Sequence, residues 1–569
     1  MGEMSHAGIA RRDFLKGAAL MGAVASVGTM AGCSSPTQSG SSASSSGKAT
    51  VSSHSWENAP EPITDIAETQ DYDVVIVGAG IAGMTAFMYA AQAGARVALL
   101  EKGDSYHGRG LDFAAVGSKV QKRNGISIDK GKLINDLVKS SGYKANGSLL
   151  RLWADYSGDV FDTLIDMTEA DGVEVTMGVG SMASANAEDF ATRTYPTDHE
   201  FGGVVVQSTL DLIGRMETAG KEAGGEVFYS SPAVQLITEN DGTVAGAIAE
   251  TDNGYVQFNA ANGVILATGD YGSNEDMVAQ WCPLVQKVES TTYPTPDMNT
   301  GDGINMACWV GGTVQQGAHA AMIHPIFGGG ALCASSLLKV NNSGKRFCNE
   351  NTTLPGISNM YLTSAENKVW TIFDSDYASQ MDAGSALSNY NNNTAGPLTQ
   401  MFMSGEASAL NPPSHAEVVD YCIKNGTTVK ADTLSELASA IGVDPEALSA
   451  TVERYNEMVD AGVDSDFGKN VEDLNAVKQA PFYASVLTAK LLVITSGLDV
   501  DSCMRVLKED GEPVGGLYAV GNVMGNFFAN DYPICAPGLS HGRCLTLGAL
   551  VGDAVATKTE LGANFTISE

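Results

Sequence analysis

The stretch that decides the fold is residues 72–83, YDVVIVGAGIAG. Its first half is short, apolar and rich in β-branched side chains, and it runs straight into a glycine-rich turn. A helix-like segment at 84–93 and a second strand at 96–100 follow, and Glu101 and Lys102 end that strand. This order of strand, tight turn, helix, strand and acidic residue predicts a Rossmann-like unit that binds a dinucleotide.

The glycines of this turn have separate physical tasks. Gly78 permits the tight turn, and Gly80 lets the backbone approach a pyrophosphate. Gly83 allows the helix to pack closely on the strand, and the N-terminus of that helix offers N–H groups to phosphate oxygens. Glu101, eighteen residues after Gly83, is placed to accept hydrogen bonds from a ribose.

The order of the later segments indicates a flavoprotein. A β-rich stretch at 226–259 precedes residues 263–270, GVILATGD, and a late strand at 516–520 runs into Gly521 and Asn522. The nucleotide-binding unit thus comes first, and the strand that completes it comes near the end of the chain. This order is typical of a flavoprotein with a large insertion, so FAD is favoured over NAD.

The overall charge excludes one class of partner. The chain has 569 residues, and its 33 basic against 66 acidic residues give a formal net charge of -33. Such a chain repels nucleic acid and anionic membrane surfaces, so no nucleic-acid partner is expected. For the same reason an anionic substrate would need a local cluster of positive charge, whereas a neutral substrate would not.

The nine cysteines predict no metal centre. They form no C-x-x-C pair, no C-x-x-C-H haem attachment and no ferredoxin-like run. We therefore expect neither haem c nor an iron–sulfur cluster, no metal ligands, and buried free thiols in place of a disulfide framework. Electrons for a redox reaction would then arrive from another protein.

The N-terminus has the features of an export signal. Residues 11–16, RRDFLK, precede a short apolar run at 17–31 that is rich in glycine and alanine, and Cys33 follows in a lipobox-like setting. This pattern predicts a twin-arginine signal at 1–33, with Cys33 acylated and the protein tethered to the outer face of the cytoplasmic membrane. Ordinary cleavage, which would release a soluble protein to the periplasm or cell surface, stays open. A serine-rich linker is predicted at 34–68.

Six segments carry a resemblance to a known superfamily. They are GAGIAG at 78–83 with Glu101 and Lys102, ATGDYG at 267–272, TGDG at 300–303, AMIHP at 321–325, GKRFCNE at 344–350, and the closing segment at 516–548. Together, over residues 70–560, the chain resembles the fumarate reductase and soluble flavocytochrome c flavoproteins, which include urocanate reductases and 3-ketosteroid dehydrogenases. The resemblance implies an α/β fold, in which a Rossmann-like FAD-binding domain carries an inserted α+β clamp domain that closes over the substrate.

The resemblance also implies domain boundaries and FAD contacts. The FAD-binding domain would comprise residues 69–319 and 491–569, with the clamp at 320–490. Within the clamp, apolar spacing predicts two packed helices at 433–441 and 444–461. The implied FAD contacts are Gly78, Gly80, Ile81, Ala82, Gly83, Glu101, Lys102, Val234, Ala267, Thr268, Gly269, Gly521, Asn522, Gly538 and Leu539.

The residue types at the expected substrate site argue against fumarate. Reduction of an activated C=C bond requires a hydride from flavin N5, stabilisation of the charge on the activating group, and a proton. The resemblance implies that His324 is one of two substrate-binding histidines. Leu354 stands at the position of the arginine acid, and Leu492 and Val493 stand where the second histidine is expected. A dicarboxylate would lose most of what binds it, so we expect an acceptor that is neutral or singly charged.

The closing segment offers a different set of groups. Residues 530–543 read NDYPICAPGLSHGR, and Tyr532 resembles the tyrosine of the ketosteroid enzymes whose hydroxyl binds the substrate carbonyl. A phenol hydrogen-bonded to an enone oxygen would stabilise the developing enolate. His541 and Arg543 would contact flavin or substrate, or else pair structurally. The predicted catalytic residues are therefore Tyr532, His324, His541 and Arg543.

These observations predict an exported FAD-dependent reductase of an enone or enoate. The small organic acceptor would serve anaerobic respiration, with a separate donor such as a membrane-anchored cytochrome. Two alternatives stay open. One is a ketosteroid-type dehydrogenase, for which Tyr293 and Tyr361 are loose candidates for further tyrosines at the flavin. The other is a flavin- or ligand-binding lipoprotein without catalysis.

Overall fold

The computed structural model describes residues 54–568 with short gaps. The gaps are residues 111, 179–192, 203–206, 289, 294–296, 326–327, 386, 389–390, 393–396, 398–400 and 402–412. The predicted signal at 1–33 with Cys33, and residues 34–53 of the predicted linker, lie outside the described part.

The elements alternate between strands and helices along most of the chain. The strands are β1 (Ile66–Val77), β2 (Val97–Leu100), β3 (Phe113–Ala114), β4 (Thr176–Met177), β5 (Asp198–Glu200), β6 (Glu226–Phe228), β7 (Ala233–Thr238), β8 (Val244–Thr251), β9 (Gly254–Leu266), β10 (Ala321–His324), β11 (Lys339–Asn341), β12 (Val369–Phe373), β13 (Thr428–Ala431), β14 (Phe482–Val486), β15 (Lys490–Ile494), β16 (Arg505–Leu507) and β17 (Pro513–Ala519). The helices are α1 (Ile81–Gln92), α2 (Lys119–Arg123), α3 (Lys130–Ser140), α4 (Gly147–Ala170), α5 (Gln207–Glu222), α6 (Glu275–Trp281), α7 (Asp302–Trp309), α8 (Leu354–Thr363), α9 (Tyr377–Ala383), α10 (His415–Lys424), α11 (Leu434–Ile441), α12 (Pro445–Ala461) and α13 (Leu539–Thr557).

An eight-stranded sheet forms the centre of the molecule. Its order is β16-β17-β9-β1-β2-β6, with β8 also paired to β9 and β7 to β8. Residues 74–77 of β1 lie parallel to 97–100 of β2 on one side and to 263–266 of β9 on the other. The late strand β17 extends the sheet beyond β9, also in parallel. The predicted α/β class is confirmed, and the strands read as unbroken apolar runs because both faces of the sheet are covered.

Helix α1 begins inside the glycine motif. The sequence pattern placed its start at Met84, but the helix begins at Ile81 directly after its N-cap Gly80. A Cβ atom at Gly83 would overlap the carbonyl oxygen of Gly78. The absence of that atom lets the first turn of α1 lie against the end of β1, so the helix starts as early as the turn allows.

Helix α13 packs against the other face of α1 and is buried along almost its whole length. A Cβ at Gly548 would lie 2.6 Å from the carbonyl oxygen of Ala82, and Gly552 makes a similarly close approach to Ala86. A helix that is apolar all round is expected in such an interior position. Its first residue, Leu539, follows Gly538, whose carbonyl oxygen accepts a hydrogen bond from the Ala114 N–H of β3 at 3.0 Å.

The inserted segment has its own sheet and its own apolar cores. The sheet order is β11-β12-β14-β13, and β10 pairs with β15 where the chain leaves and re-enters the FAD-binding part. Helices α11 and α12 match the predicted pair, and Thr433 and Asp444 cap their N-termini. Two clusters of buried apolar side chains lie within this segment, apart from the main core. The clamp boundaries at 320 and 490 stay a prediction.

The described end of the predicted linker at 34–68 contacts the FAD-binding part. Trp56 packs against Trp281 with ring centroids 4.6 Å apart, and the Trp309 Nε1–H donates to the carbonyl oxygen of Ser55 at 2.8 Å. Strand β1 then begins at Ile66. Residues 54–56 therefore pack on the FAD-binding part, because the Trp56 ring finds an apolar partner there.

Two further sequence predictions can be compared with the described residues. The eight described cysteines are free thiols, as predicted, and five of them are buried. Among the described residues, none of the helices combines the length and the apolar character that crossing a bilayer requires.

A buried ion network ties the GKRFCNE motif to the clamp helices. The Arg346 guanidinium donates to both oxygens of Glu350 at 2.8 and 2.9 Å, and to both oxygens of Asp464 at 2.7 and 2.9 Å. Lys469 lies 3.3 Å from Glu350. Although burial alone would raise the pKa of Glu350, Lys469 and Arg346 together lower it. The motif thus has a structural role in this chain.

We expect Arg346→Gln to lower the free energy of unfolding of the clamp by about 3–5 kcal/mol, because it leaves buried carboxylates without their partner. Denaturant unfolding followed by the fluorescence of Trp370, on β12, measures this. Arg454→Gln is the matched control, since Arg454 also pairs with two carboxylates but its side chain is 51% exposed. Equal effects of the two substitutions would contradict the assignment.

Candidate active site

The carboxyl ends of four parallel strands meet at one edge of the main sheet. Gly78 follows β1, Glu101 follows β2, residues 267–269 follow β9, and Gly521 lies just beyond β17. A Cβ at Gly78 would lie 2.5 Å from the carbonyl oxygen of Ala267, so these ends are in backbone contact. Open α/β sheets bind ligands in the crevice outside such an edge. The fold thus brings together predicted cofactor residues from distant segments.

Glu101 organises the glycine turn. Its carboxylate accepts from the Ala79 N–H at 2.7 Å and from the Gly103 N–H at 2.8 Å, and its residue is 7% exposed. The Ser231 N–H donates to the backbone carbonyl of Glu101 at 2.8 Å. This bond places the start of β7, with the predicted contact Val234, near the same edge.

Several buried polar atoms at this edge and beside α13 have no partner among the described residues. They are Thr268 Oγ1, His107 Nδ1, and Nε and Nη1 of Arg543. Buried polar groups in proteins are almost always hydrogen-bonded, so orphaned groups beside a glycine turn fit a bound polar ligand. The arrangement fits FAD. The nucleotide half of this cofactor would be bound by residues 78–83, Glu101 and residues 267–269.

The ammonium group of Lys102 is bound by the protein itself. Its ammonium group donates to Asp302 at 2.9 Å, to Thr300 at 3.0 Å and to the carbonyl oxygen of Asp297 at 2.8 Å. Three acceptors satisfy its three protons. Lys102 therefore anchors the TGDG segment through its side chain, and its contact with the cofactor stays a prediction.

Tyr532 and His324 come together although more than two hundred positions separate them. Their ring centroids are 6.2 Å apart in an edge-to-face arrangement, and the residues are 5% and 7% exposed. The Tyr532 hydroxyl oxygen accepts from the Ser540 N–H at 3.3 Å, which leaves its own proton for another acceptor. Nδ1 of His324 is buried without a partner among the described residues.

Burial keeps both groups neutral. It lowers the pKa of His324 to about 4, so the imidazole is uncharged near neutral pH. It also raises the pKa of Tyr532, so the phenol keeps its proton. The pair can therefore donate and accept hydrogen bonds at a substrate without adding charge.

His541 and Arg543 are held mainly by the protein. Nδ1 of His541 donates to the carbonyl oxygen of Asp112 at 2.8 Å, and its ring packs on Phe113 at 5.0 Å. Nη2 of Arg543 donates to the Asn522 side chain at 2.8 Å, with the guanidinium 4.8 Å from the ring centre of Phe528. The contacts of His541 favour the structural role that the sequence left open. Arg543 keeps two free nitrogens and can still meet a cofactor or substrate.

The positions where the superfamily's cations are expected are apolar. Leu354 is the first residue of α8 and is 3% exposed in the main core. Leu492 lies in β15, and its carbonyl oxygen accepts from Nη1 of Arg109 at 3.1 Å. Neither leucine can hold a carboxylate or supply a proton.

A buried carboxylate that sequence reasoning did not identify lies beside the site. Asp270 is fully buried and accepts from the Tyr293 hydroxyl at 2.6 Å, the Gly272 N–H at 2.8 Å and the Asn299 side chain at 3.1 Å. Arg109 lies 4.7 Å from the centre of the Tyr293 ring. Burial raises the pKa of Asp270, while these partners oppose the rise. The only sequence signal was the aspartate in ATGDYG.

Comparison with known proteins agrees with this geometry. Residues 73–539 match the family described as FAD binding domain. A vinyl phenol reductase of Lactiplantibacillus plantarum is 29% identical over 87% of this chain and 98% of its own length. A digoxin reductase of Eggerthella lenta is 26% identical over 91% and 92% of the two chains.

Solved structures share the fold. The open conformation of a flavocytochrome c3 fumarate reductase superposes with a TM-score of 0.59 and 25% identity, over 87% of this chain and 79% of that one. A 3-ketosteroid dehydrogenase from Rhodococcus jostii gives a TM-score of 0.67 at 22% identity, over 87% and 98%. The expected FAD-binding fold with a capping domain is confirmed.

The relatives are FAD-dependent oxidoreductases that act on C=C bonds, so the expected superfamily, cofactor and enzyme class are confirmed. The sheet edge, the glycine turn and Glu101 lie where such a cofactor is held. This chain belongs to the FAD-binding domain family and is an FAD-dependent oxidoreductase.

Proposed function

We propose that the protein reduces the activated C=C bond of an enone or of an enoate with a single carboxylate. The observation that carries this proposal is the neutral pair of Tyr532 and His324, in a site where Leu354 replaces the superfamily's arginine acid. A neutral tyrosine and a neutral histidine suit a carbonyl oxygen. They do not suit the second carboxylate of fumarate, which needs a paired cation once it leaves water.

The relatives that this chain covers over almost their whole length support the same substrate class. Three of them are named for vinyl phenol, digoxin and 3-oxosteroids. This chain covers 98%, 92% and 98% of their respective lengths. The fumarate reductases of Shewanella frigidimarina are covered over 74–77% of theirs. We infer that the substrate of this protein is likewise not a dicarboxylate.

Tyr532, His324 and Leu354 each have a separate task in this reduction. FAD, when bound and reduced, supplies the two electrons of the reduction. The Tyr532 hydroxyl donates a hydrogen bond to the substrate carbonyl, stabilises the enolate as its charge develops, and gives up the proton that completes the reduction. Neutral His324 orients the same group. The apolar surroundings of Leu354 exclude water, which strengthens both hydrogen bonds.

The dehydrogenase alternative has less support. It needs tyrosines on both sides of the flavin. The hydroxyl of one candidate, Tyr293, already donates a hydrogen bond to Asp270. Tyr361 is 2% exposed within α8, in the main core. A lipoprotein without catalytic activity would not require the buried Tyr532 phenol beside His324.

We further propose export and an external donor. The twin-arginine pattern at 11–12 and Cys33 support export with a lipid anchor on the outer face of the cytoplasmic membrane. The sequence has no haem-attachment or ferredoxin-like motif, so a separate membrane-anchored cytochrome would supply the electrons. A net charge of -33 would favour a donor with a basic docking face.

The first test is a panel of acceptors. Purified holoprotein is reduced chemically without oxygen, and reoxidation of the flavin is followed after addition of fumarate, a cinnamate, urocanate or a steroid enone. We expect rapid reoxidation by an enone or a monocarboxylate enoate, at least about 10²-fold faster than by fumarate, since Leu354 stands where the superfamily's arginine acid is expected and cannot pair with a second carboxylate. Fast reoxidation by fumarate would refute the substrate class.

Tyr532→Phe should slow reoxidation by the best acceptor about 10²-fold, the usual cost of one lost donor to a developing oxyanion. Its flavin content and absorption spectrum should stay unchanged, because the ring still packs on Phe528. Tyr377→Phe, in the clamp and 9% exposed, is the control that should keep the wild-type rate. A Tyr532→Phe variant with full activity would exclude this role of the phenol.

Fractionation of cells tests the export proposal. Replacement of both Arg11 and Arg12 by lysine should retain the protein inside the cell, and Cys33→Ser should move exported protein from the membrane to the soluble fraction. The doubly substituted and wild-type chains should bind FAD equally, since the signal lies outside the flavin domain. A Cys33→Ser protein that stays on the membrane would rule out the lipid anchor.

A further inference from the structure

Two buried polar side chains, Gln315 and Ser496, have no part in the function described above. Gln315 lies between α7 and β10 and is 6% exposed, and Ser496 lies just after β15 and is fully buried. Both side chains donate a hydrogen bond to the same atom, the carbonyl oxygen of Ala529, at 3.0 Å each. Since Ala529 shortly precedes Tyr532 in the chain, both bonds end close to the proposed catalytic residue.

The amide group of Gln315 holds both ends of the turn at 526–529. Its Oε1 accepts from the Asn526 N–H at 2.6 Å. Its Nε2 donates to the carbonyl oxygen of Ala529, and also to that of Ala318 at 3.3 Å. An amide can make all three bonds because it has an acceptor on one side and two donors on the other. No apolar side chain of the same shape could replace it.

The hydroxyl group of Ser496 joins the two segments that carry the neutral pair. It accepts from the Ala320 N–H at 3.0 Å and donates to the carbonyl oxygen of Ala529. Ala320 immediately precedes β10, and His324 is the last residue of that strand. A single side chain therefore fixes the strand that carries His324 relative to the turn that precedes Tyr532.

The backbone of this turn needs such partners. Asn526 and Ala529 both have a left-handed conformation, with φ angles of 67° and 59°. This conformation is unfavourable for alanine, because its Cβ comes too close to a carbonyl oxygen, and it persists only where the surroundings impose it. Without the two donors to its own carbonyl oxygen, Ala529 would relax to a more favourable conformation and move the residues that follow it.

Packing transmits the position of the turn to Tyr532. The ring of Phe528 lies 5.0 Å from the ring of Tyr532, and Phe527 and Phe528 are both buried. Tyr532 in turn faces His324 with ring centroids 6.2 Å apart, and its hydroxyl oxygen accepts from the Ser540 N–H at 3.3 Å. A displaced turn would therefore move the phenol away from both of these partners.

We propose that Gln315 and Ser496 are positioning residues for the reduction, which hold the Tyr532 hydroxyl where it meets the substrate carbonyl beside His324. The proposal rests on the function proposed above, in which Tyr532 donates to that carbonyl and gives up its proton. Gln315 and Ser496 act through the turn at 526–529, and neither exchanges a proton or an electron with the substrate. Their effect is geometric, because a small displacement of a catalytic group can cost a large part of the rate.

The first measurement needs no substrate. Hydrogen exchange of the oxidised holoprotein, resolved to single amides, follows the N–H of Ser540, whose acceptor is the Tyr532 hydroxyl. Gln315→Met and Ser496→Ala should each speed this exchange at least about 10-fold, because the hydroxyl moves away. Tyr532→Phe, which removes the acceptor, gives the reference for complete loss of the bond. An unchanged Ser540 amide in either positioning variant would overturn the proposal.

Ser335→Ala is the matched control for Ser496→Ala. Ser335 is also fully buried, in the predicted clamp, and its hydroxyl accepts from the Leu337 N–H and donates to the carbonyl oxygen of Leu332. Its loss should lower the thermal midpoint by a similar amount. The exchange of the Ser540 amide and the rate of flavin reoxidation should keep their wild-type values, which separates a loss of position from a general loss of stability.

The second measurement is the limiting rate at which the reduced flavin is reoxidised by the fastest acceptor among the cinnamate, urocanate and the steroid enone. Gln315→Met and Ser496→Ala should each lower this rate about 10-fold, less than Tyr532→Phe, because the phenol is misplaced and not removed. In the Tyr532→Phe background, either substitution should lower the rate no further, since both act through that hydroxyl. Effects that multiply in the double variants would refute the proposal.

The positioning role and the proposed function can fail separately. If the wild-type protein reduces none of these acceptors, the proposed function fails, while the Ser540 amide still shows whether Gln315 and Ser496 hold Tyr532 in place. If reduction is fast and both substitutions leave the limiting rate at the wild-type value, the positioning role fails and the proposed function remains.

Discussion

The close contact between α1 and its two neighbours is the constraint on which the rest of the structure depends. Gly83 lets α1 touch the end of β1, and Gly548 and Gly552 let α13 touch α1 from the other side. These contacts between backbones leave no room for side chains, so the helix cannot shift without losing packing on both faces. The start of α13, and with it Tyr532, is therefore held at a set distance from the glycine turn.

The second determinant is the shortage of positive charge at a buried site in an acidic protein. Of the described cations near the closing segment, Arg543 is bound to Asn522, and Arg109 lies against Tyr293 and bonds to the β15 backbone. The groups that face each other at the site, Tyr532 and His324, are neutral because burial shifts both pKa values away from their charged forms. These two side chains can offer hydrogen bonds to a ligand without adding charge.

The clamp is built separately, with its own sheet and apolar clusters. Its buried ions serve the clamp itself: Arg346 joins the loop after β11 to Asp464, which follows α12. The β10–β15 pair forms a separate two-stranded sheet near the predicted clamp boundaries, and His324 is the last residue of β10.

Local patterns in the sequence were sufficient for the dinucleotide unit, the capped helices α11 and α12, and the FAD cofactor. The first two depend on short-range rules, namely glycine at a tight turn, a capping side chain and apolar periodicity, whereas FAD was favoured by the order of segments along the chain. The start of α1 was mispredicted because close backbone contact between Gly83 and Gly78 decides it. The ammonium contacts of Lys102 were not foreseen, since their acceptors lie some two hundred positions away.

By itself, the sequence determined that this protein has a Rossmann-like FAD-binding fold with a large insertion, and that the superfamily's arginine acid is absent. Only the tertiary structure brought Tyr532 and His324 into edge-to-face contact, since more than two hundred positions separate them in the chain. Their pKa values follow from burial and from neighbours in space, and neither can be read from a linear pattern.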